Sequence, residues 1–273
     1  MPRLGRDATG RPQSCGIERL EDRRLFSAGD LDPTFGTGGT TQLGRDAAGT
    51  LLNGSGEHGI DSRNGRTVVA INDAVVARFD SGGHYDATFG QGGKLRIADF
   101  VQIDAVAIQA DNKVLVGGSV LNPSDPYTSR PGVVRLNANG TIDSGYGVGG
   151  FRTFPASILG SVSDIAIGAD GKAVLTGVGD VGGGSGGNLP RFFATRLTTA
   201  GQLDTSFGGS GIVGAPISHT ILAGGRAVAI QSDGSILVAG NVTLPADPTG
   251  GSAAVVRITA AGRPDAGFGA GGA

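Results

Sequence analysis

One glycine-rich phrase is written five times along the chain, and it constrains the fold more than any other feature. The copies read LDPTFGTGG (31–39), YDATFGQGG (85–93), IDSGYGVGG (142–150), LDTSFGGSG (203–211) and PDAGFGAGG (264–272). Their aromatics, Phe35, Phe89, Tyr146, Phe207 and Phe268, stand 54, 57, 61 and 61 residues apart. A loop that cradles a phosphate is needed once, whereas a phrase recurring at this period marks the units of a solenoid, propeller or array. The chain reads as four units and the opening phrase of a fifth. The phrase itself reads as a junction, ending one unit and starting the next. Its glycines allow a sharp reversal and its aromatic packs between units.

Inside a unit the pattern is that of strands. AVAIQADNKVLVGG (105–118), DIAIGADGKAVLTG (164–177) and AVAIQSDGSILVAG (227–240) align without gaps. Each holds two short apolar, largely β-branched runs around Asp-Asn or Asp-Gly. That is the signal of a tight hairpin with a type I′ turn, which needs positive φ at both central residues. In the first unit Asn64-Gly65 takes this place, between the weak strand HGIDSR and the strong one TVVAI.

A third strand follows (VVARF, GVVRL, ATRLT, VVRIT). Five residues beyond its arginine (Arg78, Arg135, Arg196, Arg257) stands a glycine, and eight beyond stands an aspartate: Asp86, Asp143, Asp204, Asp265. A three-residue hairpin loop ending in a left-handed Gly fits this spacing. It sets Arg opposite Asp on one face. On the other it pairs Phe79 with Tyr85, Leu136 with Ile142, Leu197 with Leu203 and Ile258 with Pro264. A last segment after each phrase, such as KLRIADF (94–100), completes four short strands per unit. Four-stranded units recurring head to tail are blades of a β-propeller. The fold class is therefore all-β, a propeller-like array of four four-stranded blade units, forming a closed four-blade ring or a partial ring.

Composition agrees with strands and excludes several functions. There are 52 Gly in 273 residues but no Gly-X-Y period, so the chain is not collagenous. Only three Glu and three Lys occur, which leaves few solvent-side helix formers. The formal net charge of −2 gives no basic footprint for nucleic acid. No run reaches the ~18 apolar residues of a transmembrane span. Cys15 is the only cysteine, so neither an intrachain disulfide nor a cysteine-based zinc site can form.

The run AVAIQADNKVLVGG … VVRLNANGTIDSGYG resembles the bacterial delta-sixty repeat, a β-propeller family, over residues 31–272. Tyr146 stands where that family has Phe, Ser210 where it has Gly, and the first unit lacks the AVAIQ strand. The resemblance implies a propeller and no defined activity. Upstream, IERLEDRRLFSAGDLD (17–32) is similar to the LEPR-type N-terminal motif of exported bacterial proteins. Leu20, Glu21, Arg23, Leu25 and Phe26 carry the match, with Asp22 in place of Pro. No apolar h-region of an ordinary secretory signal is present. The expected organisation is an export or sorting segment over 1–29, without a fixed fold, and a repeat domain over 30–273. The protein is expected at the cell surface or outside the cell.

The residues offer little catalytic chemistry by spacing. GxGxxG-like strings are many, but none opens a helix after a strand, so no dinucleotide site is expected. His58, His84 and His219 occupy different repeat positions, without HxH or HExxH spacing. The Asp-Gly turns lack the alternating oxygens and terminal Glu of a calcium loop. Aspartates that recur with the repeat read as structural. Where the units differ is between the second and third strands. There LNPSDPYTSRPG (121–132), VGDVGGGSGGNLPR (178–191) and VTLPADPTGGS (242–252) read as flexible loops on one face. These features point to a non-enzymatic binding or structural module with a protein or carbohydrate ligand, no cofactor, and an oligomer if the ring is incomplete. The alternative is a polysaccharide-acting hydrolase with carboxylates at the channel mouth. A titratable cluster converging there would favour the enzyme.

Overall fold

The computed structural model describes residues 30–44, 59–71, 74–122, 125–154, 160–179, 191–215, 222–244 and 247–269. All regular structure among them is strand, arranged in four antiparallel sheets. The first sheet runs β1 (Ile60–Arg63), β2 (Arg66–Ile71), β3 (Val75–Phe79), β4 (Lys94–Arg96) in spatial order. The second holds β5 (Phe100–Ile108), β6 (Val114–Asn122), β7 (Asp125–Leu136) and β8 (Phe151–Thr153). The third holds β9 (Ser161–Ile167), β10 (Ala173–Gly179), β11 (Arg191–Leu197) and β12 (Ile212–Ala215). The fourth holds β13 (Leu222–Ile230), β14 (Ile236–Leu244) and β15 (Asp247–Ile258), three strands among the described residues. The propeller-like array of blades is present, with its last blade lacking a described outer strand.

Alternation builds the core between sheets rather than within them. In β6, Val114 and Val116 face the first sheet and share a buried cluster with Val68, Val76 and Phe89. Leu115, between them, points the other way and packs with Leu175, Phe193 and Leu197 of the third sheet. A third cluster joins Val174 and Phe192 to Val238 and Val256. Each fully buried Val, Leu or Phe stabilises this stack by roughly 1.5–3 kcal/mol relative to exposure. The first strands β1, β5, β9 and β13 pack side by side in succession, whereas no comparable packing joins β4, β8 and β12. The first strands are therefore the inner ones. Among the described residues no strand of the first sheet packs on one of the fourth as neighbouring sheets do, and the ring they form is not closed.

The turns agree with the sequence in one unit and correct it in three. Asn64 and Gly65 have φ of 53° and 67°, as a type I′ turn requires. The other hairpins carry a single left-handed residue each, Asn112, Gly171 or Gly234, with φ of 64°, 78° and 82°. They are three-residue loops: Gln109 N–H donates to Lys113 O and Asn112 N–H to Gln109 O. The Asp111 carboxylate accepts the Lys113 N–H at 3.1 Å, holding the preceding residues in a right-handed turn. Only the third position then needs positive φ.

The glycine phrase is also placed differently. It lies between the third and fourth strands of one sheet and docks on the hairpin loop of the next. Gly90 N–H donates to Asn139 O, Gly147 N–H to Ala200 O and Gly208 N–H to Ala261 O, each at 2.9 Å. Two of the expected flexible loops are instead arms of long hairpins, since β6 stays paired with β7 out to Asn122↔Asp125 and β14 with β15 out to Leu244↔Asp247. Residues 182–187 and 1–29 lie outside the described residues.

Candidate functional site

Two sets of charged side chains stand out in the array, one recurring with the repeat and one not. The first is the Arg–Asp pair of each unit. Arg78, Arg135, Arg196 and Arg257 donate from Nε to Asp86, Asp143, Asp204 and Asp265 at 3.0, 2.8, 2.8 and 2.7 Å. The register is the expected one, Phe79↔Tyr85, Leu136↔Ile142, Leu197↔Leu203 and Ile258↔Pro264. Each guanidinium also lies over the aromatic of its own phrase, 4.4–4.9 Å from the ring centroid. Three of them reach on to the next sheet: Arg78, Arg135 and Arg196 donate from Nη1 to Ala138 O, Thr199 O and Ala260 O. The Lys172 hydrogen bond, with help from Ser206 and Arg196, holds the Asp204 carboxyl far below the usual carboxylate range. The Lys113 hydrogen bond, with help from Arg135, lowers the Asp143 carboxyl. The Nε bonds fix the register of each hairpin and three of the four arginines join neighbouring sheets, so this set is structural.

The second set was not singled out by spacing, because its members do not recur. Asp61 on β1, Asp104 on β5 and Asp164 on β9 stand on three successive inner strands, each reaching the next. Asp61 Oδ2 accepts the Ile108 N–H of β5 at 2.6 Å. Asp104 Oδ2 accepts the Ser161 hydroxyl of β9. Asp164 Oδ2 accepts the Val228 N–H of β13 at 2.7 Å, and its Oδ1 the Ile165 N–H at 2.8 Å. Asp104 sits at a register shift between Ile103 and Ala105, a bulge that turns its side chain from the regular alternation. Beside Ile108, the buried Gln109 leaves Oε1 without a partner among the described residues.

The electrostatics single out Asp164. Burial pushes its carboxyl up, the Val228 and Ile165 N–H groups pull it down, and the charge of Asp61 raises it further. The net shift is upward. The Asp61 charge adds to burial in favouring the proton on Asp164, the kind of influence that sets the pKa values of two carboxyls apart. The sequence signal that could have found them is their departure from the repeat. Asp61 and Asp164 replace alanines that hold the matching positions of other units, Ala107 and Ala105.

The remaining candidates disperse. His84 is exposed and lies 3.6 Å from Asp80, while His58 and His219 lie outside the described residues. No cluster of metal-ligating side chains occurs among the described residues. A cleft of ≈ 280 Å³ between the third and fourth sheets is lined by Lys172, Arg196 and Gln231, but both cations are already bound to Asp204. No helix among the described residues is long and apolar enough to cross a membrane.

Fold and repeats together define an array of propeller-type repeats. Comparison with known proteins agrees at that level. Residues 109–146 and 231–268 match the family described as "Domain of unknown function (DUF5122) beta-propeller". No curated protein matches the chain. Among solved structures, it is similar to an exo-1,5-alpha-L-arabinanase from a bovine ruminal metagenomic library, at 10% identity, 73% coverage of each chain and a TM-score of 0.40. It is also similar to the alpha-L-arabinanase of Cellvibrio cellulosa, at 11% identity, 74% and 72% coverage and a TM-score of 0.42. The WD40 beta propeller domain of Doa1 matches at 13% identity, 77% and 67% coverage and a TM-score of 0.33. At these values the likeness is one of fold. The expectation of a non-enzyme does not stand beside these comparisons, two of which are named arabinanases. That expectation weighed the aspartates that recur; Asp61, Asp104 and Asp164 do not.

Proposed function

We propose that the protein is a hydrolase acting on a polysaccharide, with Asp164 as general acid and Asp61 as the companion carboxylate. The observation that carries this reading is the placement of three non-recurring carboxylates, Asp61, Asp104 and Asp164, on successive inner strands, with burial raising the Asp164 carboxyl. A carboxyl whose pKa is raised holds its proton over a wider pH range and can protonate a glycosidic oxygen, while the second carboxylate activates water or attacks the sugar. Asp104 orients the site through Gln102 and Ser161, both of which donate to it. A polymeric sugar outside the cell also fits the export expected from residues 17–32. Deleting residues 1–28 is then expected to abolish secretion and leave the thermal midpoint unchanged.

The test is release of reducing ends from a panel of soluble polysaccharides, arabinan among them. Asp164→Asn and Asp61→Asn should each lower the rate by ~10²–10⁴-fold. Asp265→Asn, in the structural set, should leave it unchanged. If no polysaccharide is cleaved, or if Asp164→Asn keeps the full rate while lowering only the thermal midpoint, the carboxylates merely stitch strands and the reading fails.

A further inference from the structure

The open array ends in two half-interfaces that complement each other. On the fourth sheet, Val255 is 41% exposed, while the residues at its register position in the other sheets, Val76, Val133 and Ala194, are fully buried. Leu237 is half-buried where Val68, Leu115 and Val174 are buried. Arg257 meets Asp265 and Phe268 but, among the described residues, no carbonyl of a following sheet. The first sheet presents the opposite face. Ile60 is 68% exposed where its register equivalent Val106 is 4% exposed. In its 80–83 loop, the Ser81 carbonyl stands where Ala138, Thr199 and Ala260 accept an arginine, and it accepts none among the described residues.

The segment 31–43 repeats the logic at the strand edge. It carries Asp32, Thr34 and Phe35 in the places of Asp86, Thr88 and Phe89, and Asp32 already accepts from Thr34 as Asp86 does from Thr88. Gly36 N–H donates to Gly82 O at 2.7 Å, so this phrase is docked on the first sheet as a preceding unit's phrase would be. Among the described residues no preceding sheet is there for it to edge. The fourth sheet, conversely, has no described fourth strand on β15.

Among the described strands, those of the first sheet do not pack on those of the fourth as neighbouring sheets do. We propose that a second copy of this chain covers both, head to tail, by the same contacts that join neighbouring sheets. The first sheet of one copy, with its docked 31–43 segment, seats on the fourth sheet of the other. Residues 40–43 add an outer strand to β15, Asp32 and Phe35 take over Arg257 from Asp265 and Phe268, and Arg257 donates to the Ser81 carbonyl. The reciprocal contact closes a two-fold ring of eight sheets. A heterologous contact of this kind yields closed rings when the rotation allows and filaments when it does not. The inference stands apart from the carboxylate reading and shares no residue with it.

Light scattering of the purified full chain after gel filtration tests it. The expected mass is twice 27.1 kDa. Val255→Asp, on one end, and Ile60→Asp, on the other, should each give the single mass with an unchanged far-ultraviolet spectrum. Mixing the two variants should restore a species of two copies, because each retains the end the other has lost. A wild-type mass of one chain overturns the proposal, whether through closure on itself or an arc that stays open. A dimer that survives both substitutions, or a mixture that stays monomeric, overturns it equally.

Discussion

Arg78, Arg135, Arg196 and Arg257 are one residue in four settings, and burial decides what each contributes. Arg78 is 2% exposed, hydrogen-bonded to Asp86, Thr88 and the Ala138 carbonyl, and stacked on Phe89. Removing Asp86 leaves that charge buried without its partner, so Asp86→Ala should cost ~3–5 kcal/mol in urea unfolding. Arg257 is 29% exposed and lacks the inter-sheet bond, so Asp265→Ala should cost no more than ~1 kcal/mol. Equal losses would show that the inter-sheet bond and burial are irrelevant. Tyr146 offers the opposite case. Its hydroxyl is buried without a partner among the described residues, and burial raises its pKa. Tyr146→Phe should therefore stabilise the chain by ~1–3 kcal/mol, the cost of an unmet buried polar group. Asp164 sets a pH dependence. Its folded pKa lies above the unfolded value of ~3.9, so its contribution is fully present below that value and is lost as pH rises through the folded pKa. Asp164→Asn should abolish this loss, and a thermal midpoint that falls equally with rising pH in both proteins would contradict the burial argument.

At the scale of elements, the glycine of each three-residue loop is where one sheet meets the next. Gly140 has φ +86°, and a Cβ there would lie 2.8 Å from the Gly90 nitrogen. The neighbour is backbone, already fixed by the Gly90 N–H bond to Asn139 O, and cannot step aside. Gly149 has φ +60° with nothing within 4 Å of a Cβ. Gly149→Ala should cost only the left-handed conformation, ~1–2 kcal/mol, whereas Gly140→Ala should cost clearly more and loosen the joint between the first and second sheets. Similar midpoints for the two variants would refute the joint. These loops were legible in the sequence because the spacing from arginine to glycine to aspartate is identical in every unit, although the residues between vary. The AVAIQ hairpins were legible as hairpins but not as three-residue loops, since Asp111 supports either turn until its carboxylate is seen on the Lys113 N–H. The inner-strand carboxylates were hidden by the same regularity that revealed the fold. A repeat directs attention to what recurs, and Asp61 and Asp164 are exceptions whose place shows only in the bonds they accept from the next inner strand. The extended arms at 121–132 and 242–252 were misread as loops because Pro, Gly and Ser dominate them, a composition that pairing across a long hairpin overrides.

The whole molecule behaves as a one-dimensional stack, each sheet buried by its neighbours alone. Stability in such an array is a sum of unit terms and nearest-neighbour interfaces. The second and third sheets have an interface on both faces, with Val116 and Leu175 fully enclosed. The fourth has one interface, and its outer face leaves Val255 and Arg257 partly in water. Opening it sacrifices one interface instead of two, so its backbone amides should exchange through a cheaper, sub-global route. The Val255→Asp variant, which keeps copies apart, is the form in which to measure this by hydrogen exchange. Protection should be highest at the amides of β6 and β10, the central strands of doubly covered sheets, and lower at β14, which has the same place in the fourth sheet. Arg196→Ala removes the bond from the third sheet to the Ala260 carbonyl and should lower protection in β14 while leaving β6 unchanged. Loss spread evenly over β6, β10 and β14 would mean that the array opens as one cooperative body, and the nearest-neighbour account would not survive it.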